Sequence, residues 1–220
     1  MKNRDEIIIA PSILGVDENR LGIEFESIKQ GGAKWVHVDI MDGKFVDHVF
    51  GSLDQFSRLA KLHDLFNDVH IMVKNPKSYI KNYVKAGADN LTFHYEACKD
   101  ENEVNEVIDL IHSYGIKAGI SICPDTDVEV LLPFIKNVDL VLIMTVVPGK
   151  GGQDFMRENL EKVRYLRSFR DDLLIEVDGG INDKTAKECV QAGVNVLVSG
   201  SFVFGGNVKE RIETLIKSVK

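Results

Sequence analysis

Apolar residues recur along this chain with two periods that take turns. Short runs at Ile7–Ala10, Trp35–Ile40, Val69–Met72, Asn90–His94, Lys117–Ile122, Leu140–Met144, Leu174–Val177 and Val196–Ser199 are rich in β-branched and aliphatic side chains and read as strands. Segments with helical spacing alternate with them, at Leu21–Gln30, Ser52–Leu62, Ser78–Lys85, Asn102–Tyr114, Asp127–Phe134, Phe155–Phe169, Asp183–Ala192 and Val208–Val219. A recurrent phrase joins helix to strand: Gly31-Gly32-Ala33, Ala86-Gly87-Ala88, Tyr114-Gly115-Ile116 and Ala192-Gly193-Val194 each put a glycine where a helix would end in a left-handed cap. Strands and amphipathic helices in strict alternation imply parallel strands joined by right-handed crossovers. Eight such units predict an α/β chain folded as a closed (β/α)8 TIM barrel, one domain over residues 1–220. A doubly wound open sheet is the alternative, but it usually needs fewer strands.

Composition narrows what such a barrel could act on. The 220 residues are 44% hydrophobic and 28% charged, with a net charge of −7. That balance argues against nucleic acid or an anionic membrane as partner, which needs clustered Lys and Arg, yet leaves room for a small anion in a local pocket. Cys98, Cys123 and Cys189 lack a CxxC spacing, so neither a disulfide framework nor a zinc knuckle is expected. The start is charged (Lys2, Arg4, Asp5, Glu6), and the apolar run behind it meets Pro11 too soon for a signal-peptide core. No apolar stretch is long enough to span a bilayer, so a cytoplasmic protein is expected.

The chemistry concentrates at strand ends. In Trp35-Val36-His37-Val38-Asp39-Ile40, His37 and Asp39 project to the same face, and the Met41-Asp42-Gly43 turn follows at once. His70 lies in the third strand, and Asp178 closes the seventh before Gly179-Gly180. Taken singly, a strand His is more often a hydrogen-bonded core residue and an Asp before Gly-Gly more often a turn former. Together they come from strands two, three and seven and would converge on the carboxyl-end mouth of the barrel. An imidazole beside a carboxylate there suits a metal ion or a proton-transfer site. Three glycine loops share that rim: Pro148 to Gln153 with Gly149, Gly151 and Gly152; Gly179-Gly180; and Gly200-Ser201. Glycine admits close backbone approach to an anion, and the loops after strands seven and eight are the usual phosphate site of this fold. The loop from Pro148 to Gln153 has the length and composition of a lid.

At these residues the chain resembles the ribulose-phosphate 3-epimerase family, from about Ile8 to Phe204. The landmarks are Ala10-Pro11-Ser12-Ile13-Leu14, His37 through Gly43, His70-Ile71-Met72-Val73, Val147-Pro148-Gly149 with Gly151-Gly152-Gln153, Glu176 through Gly180, and Ser199-Gly200-Ser201. The resemblance implies one divalent ion, zinc or ferrous iron with manganese and cobalt as further candidates, on His37, Asp39, His70 and Asp178. It implies Asp39 and Asp178 as the acid/base pair, and Ser12 and His70 near a ketose phosphate whose phosphate sits on the glycine loops. The reaction implied removes the proton beside a ketone and returns one to the opposite face through an enediolate, interconverting D-ribulose 5-phosphate and D-xylulose 5-phosphate. A homo-oligomer is expected. Phe45-Val46-Asp47-His48 stands where the family usually has Phe-Val-Pro-Asn, Lys150 where an aromatic is common, and Cys123-Pro124 where Asn-Pro is common. These departures lie on the rim that sees the sugar, so D-allulose 6-phosphate is the alternative substrate. A barrel that only binds a sugar phosphate is disfavoured, because all four ligand positions are kept.

Overall fold

A computed structural model describes residues 6–220; the charged residues Lys2, Arg4 and Asp5, and the start of the expected domain, lie outside the described residues. Among the described residues nine strands form one sheet: β1 (Ile8–Pro11), β2 (Trp35–Asp42), β3 (Val49–Phe50), β4 (Phe66–Met72), β5 (Asn90–His94), β6 (Lys117–Ile122), β7 (Leu140–Met144), β8 (Leu174–Asp178) and β9 (Val196–Ser199). All pairings are parallel except the short β2–β3 ribbon. The sheet order is β1-β9-β8-β7-β6-β5-β4-β2-β3. Its ends meet where Ser12 bridges His37 in parallel and the Ile13 amide donates to the His37 carbonyl at 3.2 Å, so the sheet curls into a TIM barrel.

The helices are α1 (Leu21–Gln30), α2 (Leu53–Leu59), α3 (Lys77–Ala86), α4 (Glu101–Ser113), α5 (Leu160–Phe169), α6 (Thr185–Ala192), α7 (Ser201–Phe204) and α8 (Val208–Ser218). Their starts are written locally: Ser52 and Gln55 form a capping box on α2, and Asp100 and Asn207 cap α4 and α8. The expected left-handed glycines are there, with Gly87 at φ 117° and Gly193 at φ 113°. Two apolar layers result. One fills the space between strands and helices; the other lies inside the ring and is built from Ala10, Leu140, Leu142, Met144, Val196 and Val198.

Three local expectations change. Residues 127–134 do not form an α-helix: Val128–Leu131 is a single 3-10 turn followed by further turns. Pro133 has no amide proton and its ring clashes with the preceding turn, while Val128, Leu131 and Phe134 are buried at the three-residue spacing that such a turn presents. β4 starts at Phe66 rather than Val69: Phe66, Asn67 and Asp68 pair in register with Trp35, Val36 and His37 of β2, and the polar Asn67 and Asp68 side chains are buried. The loop after β2 is a hairpin returning through β3. Asp42 Oδ1 accepts from the Lys44 and Phe45 amides, both at 2.9 Å, and Oδ2 accepts from the Lys74 amide, so this carboxylate organises the loop.

Candidate metal centre and sugar-phosphate mouth

Because side chains alternate along a strand, every second residue of β2, β4 and β8 faces the barrel axis. Toward the carboxyl ends these include His37 and Asp39, His70, and Asp178, with Met41 and Met72 one step further along β2 and β4. Each of the four offers a ligand atom, and these atoms all lie within 4.8 Å of one another. Asp39 is the hub. Its Oδ2 accepts from the Ser12 hydroxyl at 3.1 Å, while Oδ1 stands 3.5 Å from His37 Nε2 and 3.3 Å from His70 Nδ1. Those two ring nitrogens are buried and have no hydrogen-bond partner among the described residues. Buried imidazole nitrogens beside two carboxylates fit a divalent ion such as zinc or ferrous iron.

The other nitrogen of each ring is held from behind. His37 Nδ1 lies 2.7 Å from Asp68 Oδ2, and Asp68 Oδ1 accepts from Asn90 Nδ2 at 2.6 Å. His70 Nε2 lies 2.9 Å from His94 Nε2, and His94 Nδ1 lies 3.3 Å from Glu96 Oε2. Sequence reading missed Asp68, Asn90, His94, Glu96 and Glu176 as parts of the site. The signal was available: Asp68 and Glu176 precede His70 and Asp178 by two residues, and Asn90, Thr92 and His94 share one strand face.

The charges in this cluster are unequal. Burial alone would raise the Asp39 carboxyl, but the facing His37 and His70 rings hold it below the ordinary carboxylate range. Asp178 moves the other way: burial, then the Asp39 charge, push it up to about 7. Burial works against a charged His37, yet Asp39 and Asp68 on either side raise it well above the usual imidazole value. Two carboxylates, Asp39 and Asp68, thus flank His37 on its two nitrogens and favour positive charge there. Glu176, buried beside Asp68, is raised well above the normal range by burial and by that neighbour's charge.

Above the cluster opens a cavity of about 440 Å³. Ser12, Asp39 and Asp178 line it, as do all the glycines expected there: Gly149, Gly151 and Gly152 after β7, Gly179 and Gly180 after β8, and Gly200 with Ser201 after β9. His37 and His70 are fully buried behind that surface. At Gly180 (φ 67°) a Cβ would come within 2.8 Å of the Phe155 Cα, so the turn closes against the neighbouring loop only without a side chain. The loop expected as a lid is stapled to itself, with Gln153 Nε2 donating to the Val147 and Lys150 carbonyls, both at 2.7 Å. Met41, Met72 and Met144 give the cavity an apolar floor, and His48 and Lys150 reach its wall; Asp47 does not.

Fold and mouth together define a TIM-barrel protein with a His/Asp centre suited to a metal, set under glycine loops suited to an anion. The chain belongs to the ribulose-phosphate 3-epimerase family, which residues 8–204 match. It is 41% identical to ribulose-phosphate 3-epimerase of Bacillus subtilis (strain 168), covering 97% of this chain and 100% of that protein. It is 42% identical to the cytoplasmic isoform of the same enzyme from Oryza sativa subsp. japonica, covering 96% of this chain and 94% of that protein. Among solved structures, KGPDC from Streptococcus mutans shares the fold at a TM-score of 0.71 and 13% identity, covering 97% of this chain and 98% of that one.

Proposed function

We propose that this chain is a metal-dependent ketose-phosphate 3-epimerase that interconverts D-ribulose 5-phosphate and D-xylulose 5-phosphate. The observation that carries the reading is the placement of two carboxylates of opposite protonation tendency, Asp39 and Asp178, on the wall of one cavity and in one cluster with His37 and His70. Residues whose environments push their pKa values apart are suited to act as base and acid. A divalent ion on His37, Asp39, His70 and Asp178 would supply Lewis-acid withdrawal of charge from the ketone end of the substrate.

The protein's own groups do the rest. Asp39, ionised, takes the proton from the carbon beside the ketone, and Asp178, near neutrality, returns one to the opposite face; the roles exchange in the reverse direction. Ser12 holds Asp39 through Oδ2 and so fixes which oxygen faces the rings. The methionine floor keeps water from the reacting carbon, and the backbone of the glycine loops receives the phosphate. The substrate's phosphate thus lies at one end of the cavity and its ketone at the other. The family and the named rice isoform support a cytoplasmic enzyme of sugar-phosphate metabolism. Self-association of the chain is the remaining expectation, read directly by sedimentation.

The test compares kcat/KM for ribulose 5-phosphate and allulose 6-phosphate, with solvent deuterium incorporation followed at the epimerised carbon. Preference for the pentulose supports the reading. A hundredfold preference for the hexulose would replace the substrate, with His48 on the cavity wall as the first residue to examine. No deuterium incorporation with either sugar, in protein loaded with zinc or ferrous iron, would leave only a binding barrel.

A further inference from the structure

His70 faces Asp39 through Nδ1 and turns Nε2 away from the mouth, the reverse of His37, which faces Asp39 through Nε2. The common way to fix such a ring is a carboxylate or carbonyl on its far nitrogen. His37 has one, Asp68. His70 has instead a second imidazole, His94, at 2.9 Å between the two Nε2 atoms. Two neutral imidazoles in that contact share one proton, and nothing in the pair itself decides which ring owns it. The decision falls to whatever touches the far side of His94.

We propose that Glu96 and His94 are positioning residues that set the tautomer of His70, and through it present the His70 Nδ1 lone pair to the metal centre. The inference rests on the metal-dependent reading given above. A 3-10 turn, Tyr95–Ala97, follows β5 at once and brings Glu96 back alongside His94. Glu96 Oε1 is already taken, accepting from the Cys123 amide at 2.7 Å and from the Thr126 hydroxyl. That leaves Oε2 for His94 Nδ1. A carboxylate can only accept, so the His94 proton belongs on Nδ1. His94 Nε2 is then a bare acceptor, the His70 proton must sit on Nε2, and His70 Nδ1 is left with its lone pair facing Asp39 Oδ1. The Cys123 thiol, 3.7 Å from His94 Nδ1, is too weak a partner to reverse the carboxylate's choice. The opposite arrangement would put a proton on His70 Nδ1, which lies 3.3 Å from Asp39 Oδ1 but out of hydrogen-bonding alignment with it, whereas His94 Nδ1 is aligned on Glu96 Oε2. Phe45 packs on the His94 ring with centroids 4.7 Å apart and limits its rotation.

Glu96→Gln separates this role from mere filling of space. The carbonyl of the introduced amide would replace Oε1 toward its two donors, turning the amide NH2 toward His94 Nδ1. That reverses the line: His94 carries its proton on Nε2, and His70 Nδ1 becomes protonated toward the mouth. Histidine-selective 15N NMR of metal-free protein, above the ordinary imidazole titration range, reads each tautomer directly. Expected in the native chain are a proton on His70 Nε2 and one on His94 Nδ1, with both reversed in Glu96→Gln. Competition against a fluorescent chelator is expected to show Zn²⁺ affinity lower by about 10–100-fold in the variant. A native chain with its His70 proton on Nδ1 overturns the proposal without any variant, and so does a folded Glu96→Gln with unchanged tautomers or Zn²⁺ affinity. A native chain that shows the expected tautomers but does not bind Zn²⁺ keeps the relay and sinks the metal reading instead.

Discussion

Around one half of the barrel interior, β7, β9 and β1 present Leu140, Leu142, Met144, Val196, Val198 and Ala10; around the other, β2, β4 and β5 present His37, Asp39, Asp68, His70, Asn90, Thr92 and His94. All are buried, yet they obey different rules. Contacts in the apolar half are non-directional and add up over many atoms, so shape and volume decide them. In the polar half each atom needs a particular partner, and an orphaned buried donor or acceptor costs about 1–3 kcal/mol. β8 belongs to both, with Leu174 in the apolar layer and Glu176 and Asp178 in the cluster. One half is a wall; the other stores a proton arrangement.

Four changes test that contrast. The largest effect is expected from Asp39→Asn and Asp178→Asn, each lowering kcat by about 10²–10⁴-fold, the usual weight of general acid–base catalysis. Metal content is measured in parallel, since both residues are in the cluster, and near-normal turnover in either variant ends its assignment. Leu142→Ala, in the wall, is expected to lower unfolding stability by about 2–5 kcal/mol in urea titration while leaving Zn²⁺ affinity within about twofold. A large loss of metal affinity there would erase the distinction between the halves. Asp68→Asn should do the opposite: an amide on His37 Nδ1 in place of a carboxylate lowers Zn²⁺ affinity by about 10–100-fold with a smaller change in stability. Calorimetric binding and thermal unfolding on one preparation separate the two.

The smallest effect sits outside both halves. Burial would raise the Asp139 carboxyl, but the Ala118 amide and His112, each 2.9 Å from Oδ2, lower it below its ordinary value. A folded-state value below the unfolded one, about 3.9, gives stability that is fully present above the unfolded value. That stability disappears as pH falls through the folded value. Urea midpoints of the native chain and Asp139→Asn should therefore converge as the pH is lowered through the carboxylate range. A gap that persists unchanged at low pH would show that the charge contributes nothing.

The fold was legible because the apolar layer between strands and helices writes itself in two periods, and because Gly87 and Gly193 mark helix ends with a conformation other residues avoid. The site was legible only at its surface. His37, Asp39, His70 and Asp178 stand at strand ends next to turns, where polar residues ask for a reason. Two of their supports, Asp68 and Glu176, lie one step deeper on the same strands, and there polarity works against recognition: Asp68 made the start of β4 look like a loop. Residues 127–134 misled in the opposite sense, since a three-residue apolar spacing passes for an α-helical one until Pro133 is weighed. His94 and Glu96 were hidden because their use depends on the turn after β5, which no periodicity announces.

Ser12 closes the ring and also holds Asp39. Its amide donates to the Ser199 carbonyl at 3.1 Å, its backbone bridges His37, and its hydroxyl donates to the Asp39 carboxylate. The seam that joins the first strand to both its neighbours therefore carries the residue that holds the first carboxylate of the cluster. Closing the ring and holding that carboxylate are in this sense one act: a change that loosens the seam at Ser12 also loosens its grip on Asp39.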